Sequence, residues 1–109
     1  MKGQWINIYS GDLPLRSWWV NSENECEYIS IVLPEVFGIN NWIRSFSEKL
    51  AAQNLPVLAI PLYGRTAPNL DLGYSEEDLK LGRHHKNLTT SKNIIEDVSA
   101  AINWVQEKY

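Results

Sequence analysis

The chain opens on two short runs patterned as β-strands. Trp5-Ile6-Asn7-Ile8-Tyr9 interleaves polar and apolar positions, residues 13–20 are rich in large side chains, and Ser10-Gly11-Asp12 lies between them. Strand, Gly/Asp turn, strand is the pattern of a β-hairpin. A polar, charged stretch over 21–27 follows. Apolarity then becomes nearly continuous over Tyr28-Ile29-Ser30-Ile31-Val32-Leu33, until Pro34 stops it. A short β-branched run of this kind predicts a buried strand of a parallel sheet. Past the bend at 34–38 the period changes. Ile39, Ile43, Phe46 and Leu50 recur at helical spacing, while Arg44, Ser47, Glu48 and Lys49 occupy other faces. This is an amphipathic helix, with Asn40 or Asn41 as its cap. Pro56-Val57-Leu58-Ala59-Ile60-Pro61 gives a second buried strand between prolines. Strand, helix, strand with short turns is a βαβ unit, whose crossover is right-handed.

Residues 62–88 are the least regular, punctuated by Gly64, Pro68 and Gly73. Ser75-Glu76-Glu77-Asp78 has the form of a capping box, so one short helix is predicted here, with Gly82 as its stop. From about Thr90 the helical period returns, with Ile94, Ile95, Val98, Ala101, Ile102 and Val105 as one stripe reaching nearly to Tyr109. The fold class is α/β: an N-terminal β-hairpin, a parallel βαβ unit, an irregular insert and a C-terminal helix. A helix that follows a parallel strand normally crosses to a further strand. None follows here, so the expectation is a sequence interrupted, not finished.

Composition narrows the function classes. With 109 residues there is room for one small domain. Thirteen acidic against ten basic side chains, net charge −3, leave no basic footprint for nucleic acid. No apolar run is long enough to span a bilayer, so no membrane partner is expected. Lys2 has no apolar core behind it and does not open a secretory signal. The single cysteine, Cys26, has no internal partner, and a soluble cytoplasmic setting is expected. On that setting the sequon Asn87-Leu88-Thr89 is a chance match.

Few residues carry chemistry. The sequence holds neither a Gly-x-Ser-x-Gly nor a Gly-x-Cys-x-Gly elbow. His84 and His85, within Arg83-His84-His85-Lys86, are adjacent and make a poor metal pair, and no acidic or Cys cluster has ligand spacing, so neither metal nor cofactor is expected. Trp18, Trp19, Trp42 and Trp104 fall on separate elements, which favours core or interface packing over a ligand cage. Glu35 follows a strand and Pro34, which puts its carboxylate at the carboxyl end of the sheet, where α/β sites form. On residues alone it is a solvated loop acid or a charge partner for the helix N-terminus. No Gly-x-Gly-x-x-Gly or Walker sequence occurs, so a dinucleotide-binding or flavodoxin-like reading ranks last.

The segment Ile31-Val32-Leu33-Pro34-Glu35-Val36-Phe37-Gly38-Ile39-Asn40 resembles the dienelactone hydrolase family, a branch of the α/β-hydrolases. A second match runs from Leu50-Ala51-Ala52 through residues 57–61 to Leu62-Tyr63-Gly64-Arg65. A third spans Leu72-Gly73-Tyr74 to Trp104. The resemblance covers residues 1–109, the hairpin being its least specific part. It implies a partial α/β-hydrolase domain and a covalent hydrolase using Cys, Asp and His on loops at the carboxyl ends of the strands. The nucleophile would lie in an elbow beyond the last helix, so this chain resembles the N-terminal portion of the domain without its nucleophile, Asp and His. Cys26, in the loop before the first parallel strand, is not the elbow cysteine.

The same resemblance implies roles for three residues. Glu35 would sit beside the nucleophilic thiol and modulate its ionisation, since a nearby carboxylate disfavours a second negative charge. Val36 would supply one oxyanion donor through its backbone N–H. Arg83 would help bind a carboxylate-bearing substrate through its two-pronged donors, against the plainer reading of a solvated basic patch. The implied activity is hydrolysis of a lactone or other activated ester once the missing part is present, the chain being inactive alone. The alternative is a non-catalytic interaction protein. The β-strand at 29–33 would keep one unpaired edge, and the expected partner is a second copy or a complementary chain.

Overall fold

The computed structural model describes residues 2–108, so Met1 and Tyr109 lie outside the described residues. The expected hairpin is present. β1 (Gln4–Ser10) pairs antiparallel with β2 (Leu13–Val20), Trp5 opposite Trp18 and Ile8 opposite Leu15, around a turn whose Gly11 has φ +62°. β3 (Ser30–Val32), α1 (Asn41–Ala52) and β4 (Val57–Ala59) form the expected parallel crossover, Ile31 facing Leu58 across the ladder. β4 also pairs antiparallel with β2, which gives the order β1-β2-β4-β3.

Alternation along the strands fills two faces. Ile8, Leu15, Trp19 and Leu58 point to one side, where Val98, Ala101, Trp104 and Val105 of α3 (Ser91–Lys108) cover them. Trp5, Trp18, Val32 and Ala59 point to the other, against Ile39 and Ile43 at the start of α1. Trp19 meets Trp104 edge-to-face at 5.1 Å and Trp5 meets Trp18 at 5.0 Å, so four of the tryptophans tie elements together in two separate pairs.

Three expectations are corrected. The strand expected over 28–33 is only three residues long and half-buried, because β3 is an edge strand with one neighbour. Gly82 does not stop a helix. α2 runs Glu76–Leu88 straight through it, with Ser75 as the N-cap. A Cβ at Gly82 would collide with the Val36 carbonyl, so glycine serves here as a close-packing point. The apolar stripe of α3 is wider than the face it buries. Ile95 is 66% exposed and Ile102 42%, while Asp97 points inward at 1%. Arg65 explains the burial of Asp97. Its guanidinium donates to Asp97 Oδ1 and Glu96 Oε2, both at 3.1 Å, and ties the turn after β4 to α3.

Candidate functional site

The bend between β3 and α1 is held in shape from both ends. Pro34 ends the strand and is buried. Gly38 N–H donates to Glu35 O at 3.2 Å, closing a tight turn, and Gly38 takes φ +78°, the left-handed region where glycine is unstrained. Its missing side chain matters twice, because a Cβ there would collide with the Leu70 carbonyl. The 70–72 segment crosses the bend at this point, with Leu72 N–H donating to Phe37 O at 2.9 Å. Asn40 completes the joint. Its Oδ1 accepts from Ile43 N–H and caps α1, while its Nδ2 donates to Leu72 O and to the Tyr74 hydroxyl, each at 3.1 Å. Arg44 donates to Ile39 O at 2.7 Å and to Asp71 at 2.9 Å, beside these bonds.

This scaffold turns Glu35 outward, to the carboxyl end of β3. Its side chain is exposed and enters none of the ion pairs among the described residues. It rims a cavity of about 350 Å³ walled by Val32, Leu33, Phe37, Trp42, Phe46 and Tyr74. Phe37 meets the Tyr74 ring edge-to-face at 4.6 Å, and Trp42 stacks on Phe46 at 5.2 Å, so aromatic surface dominates the walls. Val36 is half-buried. Its N–H makes no hydrogen bond among the described residues, while its carbonyl rests on Gly82 of α2.

Arg83, the residue after Gly82, is exposed and does not line this cavity. Glu35 thus rims the cavity, while neither Val36 nor Arg83 lines it. His84 and His85 lie on α2 with rings 5.3 Å apart, and His85 Nδ1 is 2.9 Å from Thr66 Oγ1. No group of three or more His, Cys, Asp or Glu side chains is placed to hold a metal ion among the described residues. Nor is any described helix long and apolar enough to cross a membrane. Cys26 is partly buried in the loop before β3.

Sequence reasoning missed Asn40 as a joint and Tyr74 as a wall. The only signal for Asn40 was its capping position, which says nothing of its Nδ2. The Arg65 cluster was also missed, and it lines a separate, larger groove of about 880 Å³ with Glu96, Ser99 and Asn103. Burial raises the Tyr63 phenol above its ordinary value.

A sheet ordered β1-β2-β4-β3, flanked by helices, with its candidate loop at the carboxyl end of a parallel strand, is the arrangement of an α/β-hydrolase. Solved structures share it. A Klebsiella pneumoniae subsp. pneumoniae protein carrying the name dienelactone hydrolase superposes with TM-score 0.79 at 20% identity, over 96% of this chain and 43% of that one. A dienelactone hydrolase-like promiscuous phosphotriesterase from metagenomic libraries superposes with TM-score 0.67 at 13% identity, over 94% and 41%. Among curated proteins, a Synechocystis sp. protein carrying the name carboxymethylenebutenolidase is 36% identical over 78 residues, which are 72% of this chain and 32% of that relative. The family model described as "Dienelactone hydrolase family" matches residues 17–109. The chain belongs to the dienelactone hydrolase family. It spans about a third of the length of the curated relative and under half of each solved structure.

Proposed function

We propose that these residues form the amino-terminal wall of a site that hydrolyses carboxylic ester or lactone bonds. In this reading the chain lacks the nucleophile and is inactive until a complementary part supplies the elbow, the Asp and the His. The observation that supports it is the bend at 35–38. An exposed carboxylate and an unpartnered N–H sit one residue apart at the carboxyl end of β3, beside an aromatic-walled cavity.

The chemistry asks for this combination. A tetrahedral intermediate carries an oxyanion, and a fixed N–H that has no competing acceptor is free to stabilise it. Val36 would offer one such donor. Glu35 would oppose ionisation of a thiol placed beside it, so that the nucleophile becomes a thiolate only when the carboxylate moves away or takes the proton. The thiolate would attack the carbonyl, the ring or ester oxygen would leave as an alcohol, and water would release the acyl group. The aromatic walls would hold the apolar part of the substrate. Arg83 stays a weaker proposal as an anion contact.

The test is a chimera joining residues 1–109 to the part of the Synechocystis relative that this chain does not span, assayed with p-nitrophenyl acetate and an unsaturated lactone. The isolated chain is expected to be inactive and the chimera active. Val36→Pro removes the N–H and is expected to lower kcat about 100- to 1,000-fold, the usual effect of losing one oxyanion donor. Turnover by the isolated chain that persists in Cys26→Ala would refute the reading, as would a folded, active chimera indifferent to Val36→Pro.

A further inference from the structure

We propose that the outer edge of β1 is a self-recognition surface, on which two copies of this chain join antiparallel about a two-fold axis at Asn7. β1 lies at the opposite margin of the sheet from β3, so a strand added beside β3 would leave this edge untouched. The hairpin fixes which backbone groups face outward. Its two-residue turn, opened by Gly11 at φ +62°, makes Ser10 and Leu13 the first bonded pair, and Ile8 with Leu15 and Ile6 with Ser17 follow by alternation. In agreement, Tyr9 stands opposite Pro14, which has no N–H to give. The N–H and C=O of Trp5, Asn7 and Tyr9 therefore point away from β2, and none of them is bonded among the described residues. Edge strands are ordinarily protected by charge, proline, a bulge or a covering element. β1 has none of these. Its seven residues include no charged side chain and no proline, and its register with β2 is unbroken. α3 packs on its face but leaves the groove of about 880 Å³ along it, lined by Asn7, Tyr9, Ser99 and Asn103.

The occupant is a second copy because β1 complements itself in one register. Only a pairing centred on Asn7 engages all the outward residues at once: Asn7 meets its own copy, and Trp5 of each chain meets Tyr9 of the other, each pair exchanging both backbone bonds. The side chains agree with that register. Tyr9 is 61% exposed and would lie on the half-buried Trp5 of the second copy, an aromatic cross-strand pair. Ile6 would stand opposite Ile8 and extend the apolar face beneath α3. Continued past the strand ends, the same register sets Lys2 of each chain against Asp12 of the other. Both residues are exposed, and neither enters an ion pair among the described residues. Antiparallel pairing thus places opposite charges at both margins, whereas parallel pairing in register would set lysine on lysine and aspartate on aspartate. A two-fold contact of this kind closes on itself, so its product is a dimer.

The test is light scattering of the 1–109 chain over a concentration series, with amide exchange read residue by residue. A dimer is expected, and the Trp5, Asn7 and Tyr9 amides are expected to become protected as it forms, since they have no partner in the single chain. Asn7→Lys sets like charges at the two-fold axis and is expected to weaken the dimer at least about tenfold, as is Asn7→Glu, while mixing the two variants recovers it. Asn7 is exposed, so both variants are expected to melt with the parent. Lys2→Glu, outside the strand, is expected to weaken the dimer too, and the double variant Lys2→Glu/Asp12→Lys to restore it. A monomer at every concentration, a dimer indifferent to Asn7→Lys, no recovery on mixing, an unrestored double variant, or new protection at Ile31 in place of β1 would overturn the proposal. No ester is hydrolysed in this experiment, so its failure would leave the hydrolase reading intact.

Discussion

Gly82→Ala sets two effects of opposite sign against each other. In the interior of a helix, alanine is favoured over glycine by about 1 kcal/mol, so propensity alone forecasts a more stable protein. The geometry forecasts the reverse. A methyl at this position collides with the Val36 carbonyl, and the obstacle is backbone, which has no rotamer to swing aside. Overpacking of this kind costs about 1–3 kcal/mol, as the helix or the bend is pushed away. Since the obstacle is rigid we place the penalty in the upper part of that range, for a net loss of about 1–2 kcal/mol after propensity is subtracted. For a chain of this size that is a fall in Tm of about 5–10 °C. Urea titration followed by far-UV circular dichroism measures the loss, with an unchanged m-value showing that the unfolded state is not the cause. The Phe37 amide resonance is expected to shift more than any amide of β1, because its N–H shares a peptide unit with the displaced Val36 carbonyl. A variant as stable as the parent, or more so, would refute the close-packing argument.

Other substitutions separate roles that share one residue. Asn40→Ala is expected to cost about 2–3 kcal/mol by urea titration, losing the cap and the Nδ2 hydrogen bonds together, and Asn40→Asp is expected to stay below the parent although it keeps the cap, because a carboxylate oxygen would then face the Leu72 carbonyl. Asp97→Ala is expected to cost several times more than Glu96→Ala, about 3 against under 1 kcal/mol, since one carboxylate is buried on Arg65 and the other half-exposed. Tyr63 has its pKa raised by burial from the ordinary value of 10.0. The unfolded chain therefore loses this proton first. The stabilisation is intact below about pH 10 and falls as pH rises through the folded value, and Tyr63→Phe is expected to flatten that limb of a stability-against-pH curve.

What the sequence told, and what it withheld, follows the range of the interactions involved. The hairpin, the crossover and the caps at Asn40 and Ser75 rest on neighbours a few residues apart, so period and turn chemistry displayed them. Gly82 misled because the usual inference from glycine in a helical pattern is a terminus, and its reason for being there lies on another element, at Val36. The burial of Asp97 was not legible, because its partner Arg65 lies 32 residues away. The length and burial of β3 depend on how many neighbours the strand has, which its own residues do not encode. At the candidate site, family resemblance pointed to Glu35 and Val36, and nothing pointed to Tyr74 or the Nδ2 of Asn40, because only folding brings residues 70–74 onto the bend.

That crossing has a kinetic consequence. The bend is pinned by Leu72 on Phe37, by Asn40 on Leu72 and by Arg44 on Asp71, links that span 27 to 35 residues of chain. Closing a loop of that length costs about 3 kcal/mol in chain entropy before any contact repays it. The hairpin β1–β2 closes over two residues and incurs almost none of this. Formation of the β1–β2 hairpin is therefore expected to precede the gathering of the 70–74 segment onto the bend, and the reverse order to hold on opening. In native-state hydrogen exchange Leu72 N–H, bonded to Phe37 O, is then expected to exchange through a sub-global opening that leaves the amides shared by β1 and β2 protected. The bend would open before the hairpin does and set after it.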